Sequence, residues 1–137
     1  MAPVFLFDTN AASDLLKGQV PELSRRFAAT PPGRVAVSAI TEAELRYGIE
    51  RKPEAMRVRI AVEALLASIP VLAWGTEAAR AYGKLRALQE RKGLPMSAED
   101  LMIAAHALSC DMVLVTRNHA FRFVDGLHTQ DWTAKFP

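Results

Sequence analysis

Val4-Phe5-Leu6-Phe7-Asp8-Thr9-Asn10 sets four apolar residues in a row ahead of three small polar ones. A strand with one face in water alternates apolar and polar residues, and this run does not. It predicts a strand covered on both faces, as in a parallel sheet. Asp8, Thr9 and Asn10 are all able to cap a helix, and Ala11 to Lys17 supplies one that Gly18 stops.

The same reading extends outward. Pro21 to Ala29 is a second short helix, and Pro31-Pro32-Gly33 is a turn. Val35-Ala36-Val37 is a second strand. Ser38 and Thr41 precede a helix from about Ile40 to Arg51, and Pro53 is placed to open the next, which runs to about Ser68. Val71-Leu72 reads as a short strand, Glu77 to Lys92 as a helix closed by Gly93, and Asp100 to Ser109 as another, opened by Ser97. Met112 to Val115 is as apolar as the first strand, and the tail offers an edge strand near Leu127 to Thr129. Strands alternating with helices predict a three-layer α/β domain around a parallel sheet. In such sheets ligands gather beyond the carboxyl ends of the strands, at the point where strand order reverses. Asp8 and Thr116 each follow an apolar strand directly.

Composition sets limits. The 137 residues suit a single domain over 1–137, and with 50% hydrophobic and 23% charged residues the chain can bury a core without disulfide or structural metal. Cys110 is the single cysteine, which suits a reducing cytoplasm. The start MAPVFLFD lacks the basic flank and length of a signal peptide, and Glu63 and Pro70 interrupt the longest apolar stretch, so a membrane span is not expected. A net charge of +2 says little about partners by itself, although gathering carboxylates into one site leaves the remaining surface more basic.

The acids carry the chemistry. Hydrolysing a phosphodiester calls for divalent ions that acidify water and offset phosphate charge, and Mg2+ or Mn2+ prefers carboxylate oxygens. Here one acid stands at a strand end (Asp8), two on the helix after the second strand (Glu42 and Glu44), and one at a helix start before the fourth strand (Asp100). Each has a structural reading as well. Asp8 can be a cap, the glutamates can be solvated, and Ser97 with Asp100 forms a capping pattern. Glu42 and Glu44 flank the stripe marked by Leu45 and Ile49, so helical geometry leaves the choice between them open.

The ordered set resembles a known family. Asp8-Thr9-Asn10 after an apolar strand resembles the first motif of PIN-domain nucleases. Ser38-x-x-Thr41-x-x-Glu44-Leu45-x-Tyr47-Gly48 resembles the second, and Asp100-x-x-Ile103-Ala104-Ala105-x-Ala107 the third. Leu114-Val115-Thr116-x-Asn118 with Gly126-Leu127 and Asp131-Trp132 resembles the fourth motif and tail. The group most similar is that of the VapC toxins of bacterial toxin–antitoxin pairs. The resemblance selects Glu44, because the family's acid directly precedes a leucine. It implies a Mg2+-dependent endoribonuclease, with Mn2+ able to substitute, and RNA as substrate. A tRNA is implied in particular, since the tail resembles the group that cuts initiator tRNA in the anticodon stem-loop. It also implies a VapB antitoxin whose tail enters the acidic cleft, a homodimer, and a larger assembly with antitoxin on promoter DNA.

In that scheme Asp8, Glu44 and Asp100 ligate the metal, which activates water for in-line attack and leaves a 5′-phosphate. Thr9, Asn10, Ser38 and Thr116 orient acids or waters. Many relatives carry a fourth acid just before a phenylalanine. Ala120 precedes Phe121 here, and the segment Thr116 to Phe121 is one residue shorter, so Asn118 is left as a neutral acceptor at that corner. One tightly held ion is therefore expected, any second arriving with substrate. Arg46, Arg51, Lys52, Arg86, Arg91, Lys92, Arg117 and Arg122 are the candidates for phosphate contact, with His119 a further one beside the last motif. His106, His128, Trp74 and Tyr82 read as structural or surface residues. A rival reading is a PIN-like domain that binds RNA or antitoxin with weak or no cleavage, favoured by the missing acid. An aspartyl-nucleophile phosphatase wants a second Asp where Asn10 stands, and a receiver domain wants a lysine that Thr116-Arg117-Asn118 does not supply.

Overall fold

The computed structural model describes residues 2–134; Met1 and residues 135–137 of the expected 1–137 domain lie outside them. Strand β1 (Phe5–Phe7) leads into α1 (Thr9–Lys17) and α2 (Pro21–Ala29). Then follow β2 (Val35–Ser38), α3 (Ala39–Arg51), α4 (Met56–Ser68), β3 (Val71–Leu72), α5 (Thr76–Lys92), α6 (Ala98–Cys110), β4 (Val113–Val115), a 3-10 turn over His119–Phe123, and β5 (Thr129–Gln130). The five strands form one sheet in the order β3-β2-β1-β4-β5, all pairs parallel, with Phe5 level with both Val35 and Val113.

The unbroken apolar runs have the predicted cause. Along β1, Phe5 and Phe7 enter a core beneath α1 to α4, whereas Leu6 enters a second core beneath α5 and α6. Val35 and Val37 against Ala36, and Val115 against Leu114, divide in the same way. Period-two alternation therefore persists, but both faces are dry. Trp132 closes the first core, meeting Phe5 and Phe7 edge-on with centroids 5.0 and 5.2 Å apart.

Where element boundaries differ from the sequence reading, they shift by one to three residues. α1 begins at Thr9 because Asp8 takes the capping position, and α6 begins at Ala98 with Ser97 as its cap. Pro53 does not open α4. Residues 52–55 form a separate turn, with Ala55 N–H donating to the Lys52 carbonyl at 3.0 Å, and the helix starts at Met56. Gly18 and Gly93 end their helices at φ +64° and +68°, left-handed values that favour glycine. The tail strand is centred later than expected, at Thr129–Gln130 beside β4. Among the described residues no helix is long and apolar enough to cross a membrane.

Candidate active site

Chain order runs outward from β1 in two directions, to β2 and β3 on one side and to β4 and β5 on the other. Asp8 leaves β1 at this reversal, and its N–H donates to the Val115 carbonyl at the end of β4, 3.1 Å away. Its carboxylate is buried, and both oxygens are held. Oδ1 accepts the Ala11 N–H at 2.7 Å, and Oδ2 accepts the Thr116 hydroxyl at 2.6 Å. Asp8 is thus a helix cap that also lies at the sheet's reversal point. The Thr116 oxygen in turn accepts the Asn118 N–H at 3.0 Å, which fixes the hydroxyl proton toward Asp8.

Asp100 lies in the first turn of α6, its N–H donating to Ser97 Oγ at 3.1 Å. Burial pushes the Asp8 carboxyl above its ordinary range. Its hydrogen bonds to Thr116 and Ala11 oppose that rise, and the charges of Asp100 and Asp14 add to it. Asp100 is raised as well, chiefly by burial, against the pull of its Ser97 hydrogen bond, with Glu99 adding repulsion. Burial is thus the first cause of both rises, and the charge of Asp100 adds a smaller push on Asp8.

Glu44 enters from α3. Its Oε1 accepts the Thr9 hydroxyl at 2.5 Å, and because that proton is committed, Thr41 is the donor in the 3.2 Å contact between the two threonines. Glu42 faces another way. It pairs with Arg46 at 2.9 Å, and Arg46 reaches on to Glu63 of α4 at 2.6 Å. Of the two glutamates, Glu44 is the one that meets the residue next to Asp8.

Of the residues expected to orient the acids, Thr9 and Thr116 touch them. Ser38 does not: its Oγ caps α3 through Ile40 N–H at 3.1 Å and bonds His106 Nδ1 at 2.7 Å. Asn10 is exposed. Asn118 has its side-chain oxygen engaged by the Ala120 N–H at 3.0 Å, so it reaches Asp8 through Thr116. Thr41 and Asp14 were missed as site residues. Asp14 is a buried carboxylate of α1 that pairs with Arg117, 3.0 Å from its Nε. Its sequence signal was only a polar residue inside an apolar helix face. Trp74 is a packing residue, donating its Nε1–H to the Met102 carbonyl at 2.9 Å and meeting Tyr82 edge-on.

The donor set suits a hard divalent cation: oxygen ligands only, two of them acids whose charged form burial disfavours and a cation would favour. Among the described residues, no three histidine, cysteine or acidic side chains stand close enough to hold one ion together. Asp8 and Asp100 are both acids raised by burial, and Glu44 is tied to the residue next to Asp8. Beside Glu44 and Thr9 runs a groove of about 560 Å³ between α1, α3 and α4. Leu45, Ile49 and Val62 are among its apolar walls, and Lys17, Arg51 and Arg57 also border it.

Comparison with known proteins places this geometry among others of its kind. The PIN domain family matches residues 5–127. The tRNA(fMet)-specific endonuclease VapC of Shigella flexneri is 35% identical over 130 residues, 94% of this chain and 98% of its own length. Ribonuclease VapC2 of Haemophilus influenzae is 32% identical over 129 residues, 93% and 97% of the respective chains. Among solved structures, the DNA-bound VapBC of Salmonella typhimurium superposes with a TM-score of 0.89 at 35% identity, covering 96% of this chain and 99% of that one. VapBC-1 of nontypeable Haemophilus influenzae gives 0.85 at 32% identity, covering 95% and 98%.

Proposed function

This chain belongs to the PIN-domain family, in its VapC branch, and on that premise we propose that it is a metal-dependent endoribonuclease toxin with Asp8, Glu44 and Asp100 as its centre. The observation that carries the proposal is the buried Asp8 carboxylate at the sheet's reversal point, held on both oxygens by Ala11 N–H and Thr116, with Glu44 joined to Asp8's neighbour Thr9. Mg2+ or Mn2+, when bound, supplies Lewis acidity toward an RNA phosphate and acidifies water.

The chain's own residues arrange the acids. Thr116 and the Ala11 N–H hold both oxygens of Asp8, so the carboxylate does not rotate. Thr41 orients Thr9, and Thr9 holds Glu44. Ser97 fixes the first turn of α6 that carries Asp100. The substrate is RNA, and the likeness to tRNA(fMet)-specific relatives points to initiator tRNA, cut to leave a 5′-phosphate. The partner is a VapB antitoxin, with toxin dimers and antitoxin assembling on promoter DNA as the VapBC structures do on theirs. The groove beside Glu44 suits an amphipathic antitoxin segment: apolar walls for one face, basic borders for acidic side chains.

A second reading, binding without efficient cleavage, draws support from Ala120 in place of an acid and from the absence of a three-donor cluster among the described residues. One assay decides between them. Purified chain is incubated with tRNA(fMet), with Mg2+ or Mn2+ and with EDTA, beside Asp100→Asn. The nuclease reading expects ion-dependent cuts that fall about a thousandfold in the variant, several kcal/mol of barrier. Equal cleavage by Asp100→Asn removes it from the centre, and intact tRNA under every condition supports the binding reading.

A further inference from the structure

We infer that Arg117 is a phosphate clamp at the edge of the acidic centre, contacting the RNA backbone beside the scissile bond, and that buried Asp14 is the positioning residue that presents it. The inference rests on the ribonuclease reading for the identity of the ligand, but its geometry is independent of catalysis.

Arg117 directly follows Thr116, the residue whose hydroxyl holds Asp8. Its backbone is anchored on both sides: Thr116 N–H donates to the Gln130 carbonyl at 2.9 Å, and Asn118 N–H donates to Thr116 Oγ1 at 3.0 Å. The side chain then meets Asp14 side-on, with Nε 3.0 Å from Oδ2 and Nη2 3.3 Å from Oδ1. Only the Nη2 contact is a hydrogen bond, and the Nε contact is an ion pair that leaves Oδ2 without a hydrogen-bond donor, so the Nη1 end is uncommitted to Asp14. The Arg117 side chain is 55% exposed and that of Asp14 10%, so the acid is inside and the cation faces out.

The placement of Asp14 is costly for folding alone. It lies on α1 beside Ala11 and Ala12, both core residues, where an apolar side chain would pack without penalty. Its charge also adds to the repulsion on Asp8. What it supplies in return is a fixed guanidinium one residue from the centre. Three acids repel an approaching RNA backbone, and a planar, always-charged fork is the group best matched to a phosphate. Arg46 and Arg86, by comparison, are each engaged by two groups on outer helix faces, Glu42 with Glu63 and Tyr82 with Glu90.

The test measures binding in the non-cleaving Asp100→Asn chain, using fluorescently labelled tRNA(fMet), anisotropy and a salt series. Cleavage by the wild-type chain is scored separately. Arg117→Gln should weaken binding about tenfold and flatten the salt dependence by about one ion. Arg117→Lys should keep the salt slope and lose severalfold in affinity, because charge remains and the fork does not. Asp14→Asn should change binding when Arg117 is present and add nothing in Arg117→Gln, a dependence that a merely structural role would not produce. Thermal melts check that each variant folds. If Arg117→Gln is unfolded, Arg117→Lys decides, and wild-type affinity there overturns the clamp. Unchanged affinity and slope in a folded Arg117→Gln overturn it, as does failure of the Asp100→Asn chain to bind this RNA. If the wild-type chain cuts nothing but Arg117→Gln loses affinity and slope, the clamp stands and the nuclease reading falls.

Discussion

Thr9 has one hydroxyl proton and gives it to Glu44, so a residue adjacent to Asp8 on one helix fixes an acid on another. That bond separates two glutamates of equal charge two positions apart. Glu44→Gln should lower kcat/KM for RNA cleavage about a hundredfold or more, since it removes an anionic oxygen from the centre. Glu42→Gln should stay within about twofold, since it loses only a solvent-exposed pair with Arg46. Steady-state kinetics on both variants checks this, and a larger loss in Glu42→Gln would contradict it. Periodicity alone was silent here because the partner that distinguishes them stands 35 positions away; the motif around Glu44-Leu45 named the acid that touches Thr9. The pairing of Asp14 with Arg117, 103 positions apart, was not legible, because a polar residue in an apolar helix face does not name its partner. A carboxylate on a short helix reads as solvated until the packing shows it buried.

At the scale of elements, α3 carries Glu44 and α6 carries Asp100, and a polar contact links the cap of α3 to α6. Ser38 caps α3 and bonds His106 Nδ1 from inside α6, both residues buried. Burial lowers the basicity of the His106 ring. Ser38→Ala therefore removes a cap and strands a buried ring nitrogen, with an expected loss of about 2–4 kcal/mol in urea unfolding at unchanged m. Paired with His106→Ala in a double-mutant cycle, it should show coupling of about 1 kcal/mol or more, and additive losses would deny the link. Helix existence was legible because apolar stripes and caps are local. The ends were less so. Pro53 carried a helix-start signal that a turn at residues 52–55 absorbed, and β3 and β5 are two-residue strands whose identity comes from their neighbours in the sheet.

Over the whole molecule, two cores on opposite faces of one parallel sheet leave the carboxyl ends of β1 and β4 as the place where acids can gather without disturbing packing. That arrangement was legible because runs such as Phe5-Leu6-Phe7 and Val113-Leu114-Val115 have no polar face to spare. The strength of the coupling between acids was not, since it depends on burial. It has a consequence for stability. Asp8 and Asp100 have carboxyls raised above the ordinary aspartate value of 3.8. The folded, metal-free chain thus binds their protons more tightly than the unfolded chain does. Their charges destabilise the fold fully at neutral pH, and the penalty lifts as pH falls through the raised range toward 3.8. A bound divalent ion reverses the sign, because it favours the deprotonated acids. Unfolding followed with and without Mn2+ should then show stabilisation that is largest near neutral pH, about 2.7 kcal/mol at a hundredfold excess over Kd, and that fades on acidification. Asp100→Asn should lose most of this ion-dependent gain while its metal-free stability depends less on pH than that of the wild-type chain. An equal Mn2+ gain in wild type and Asp100→Asn, or a gain that grows as pH falls, would place the ion away from these acids.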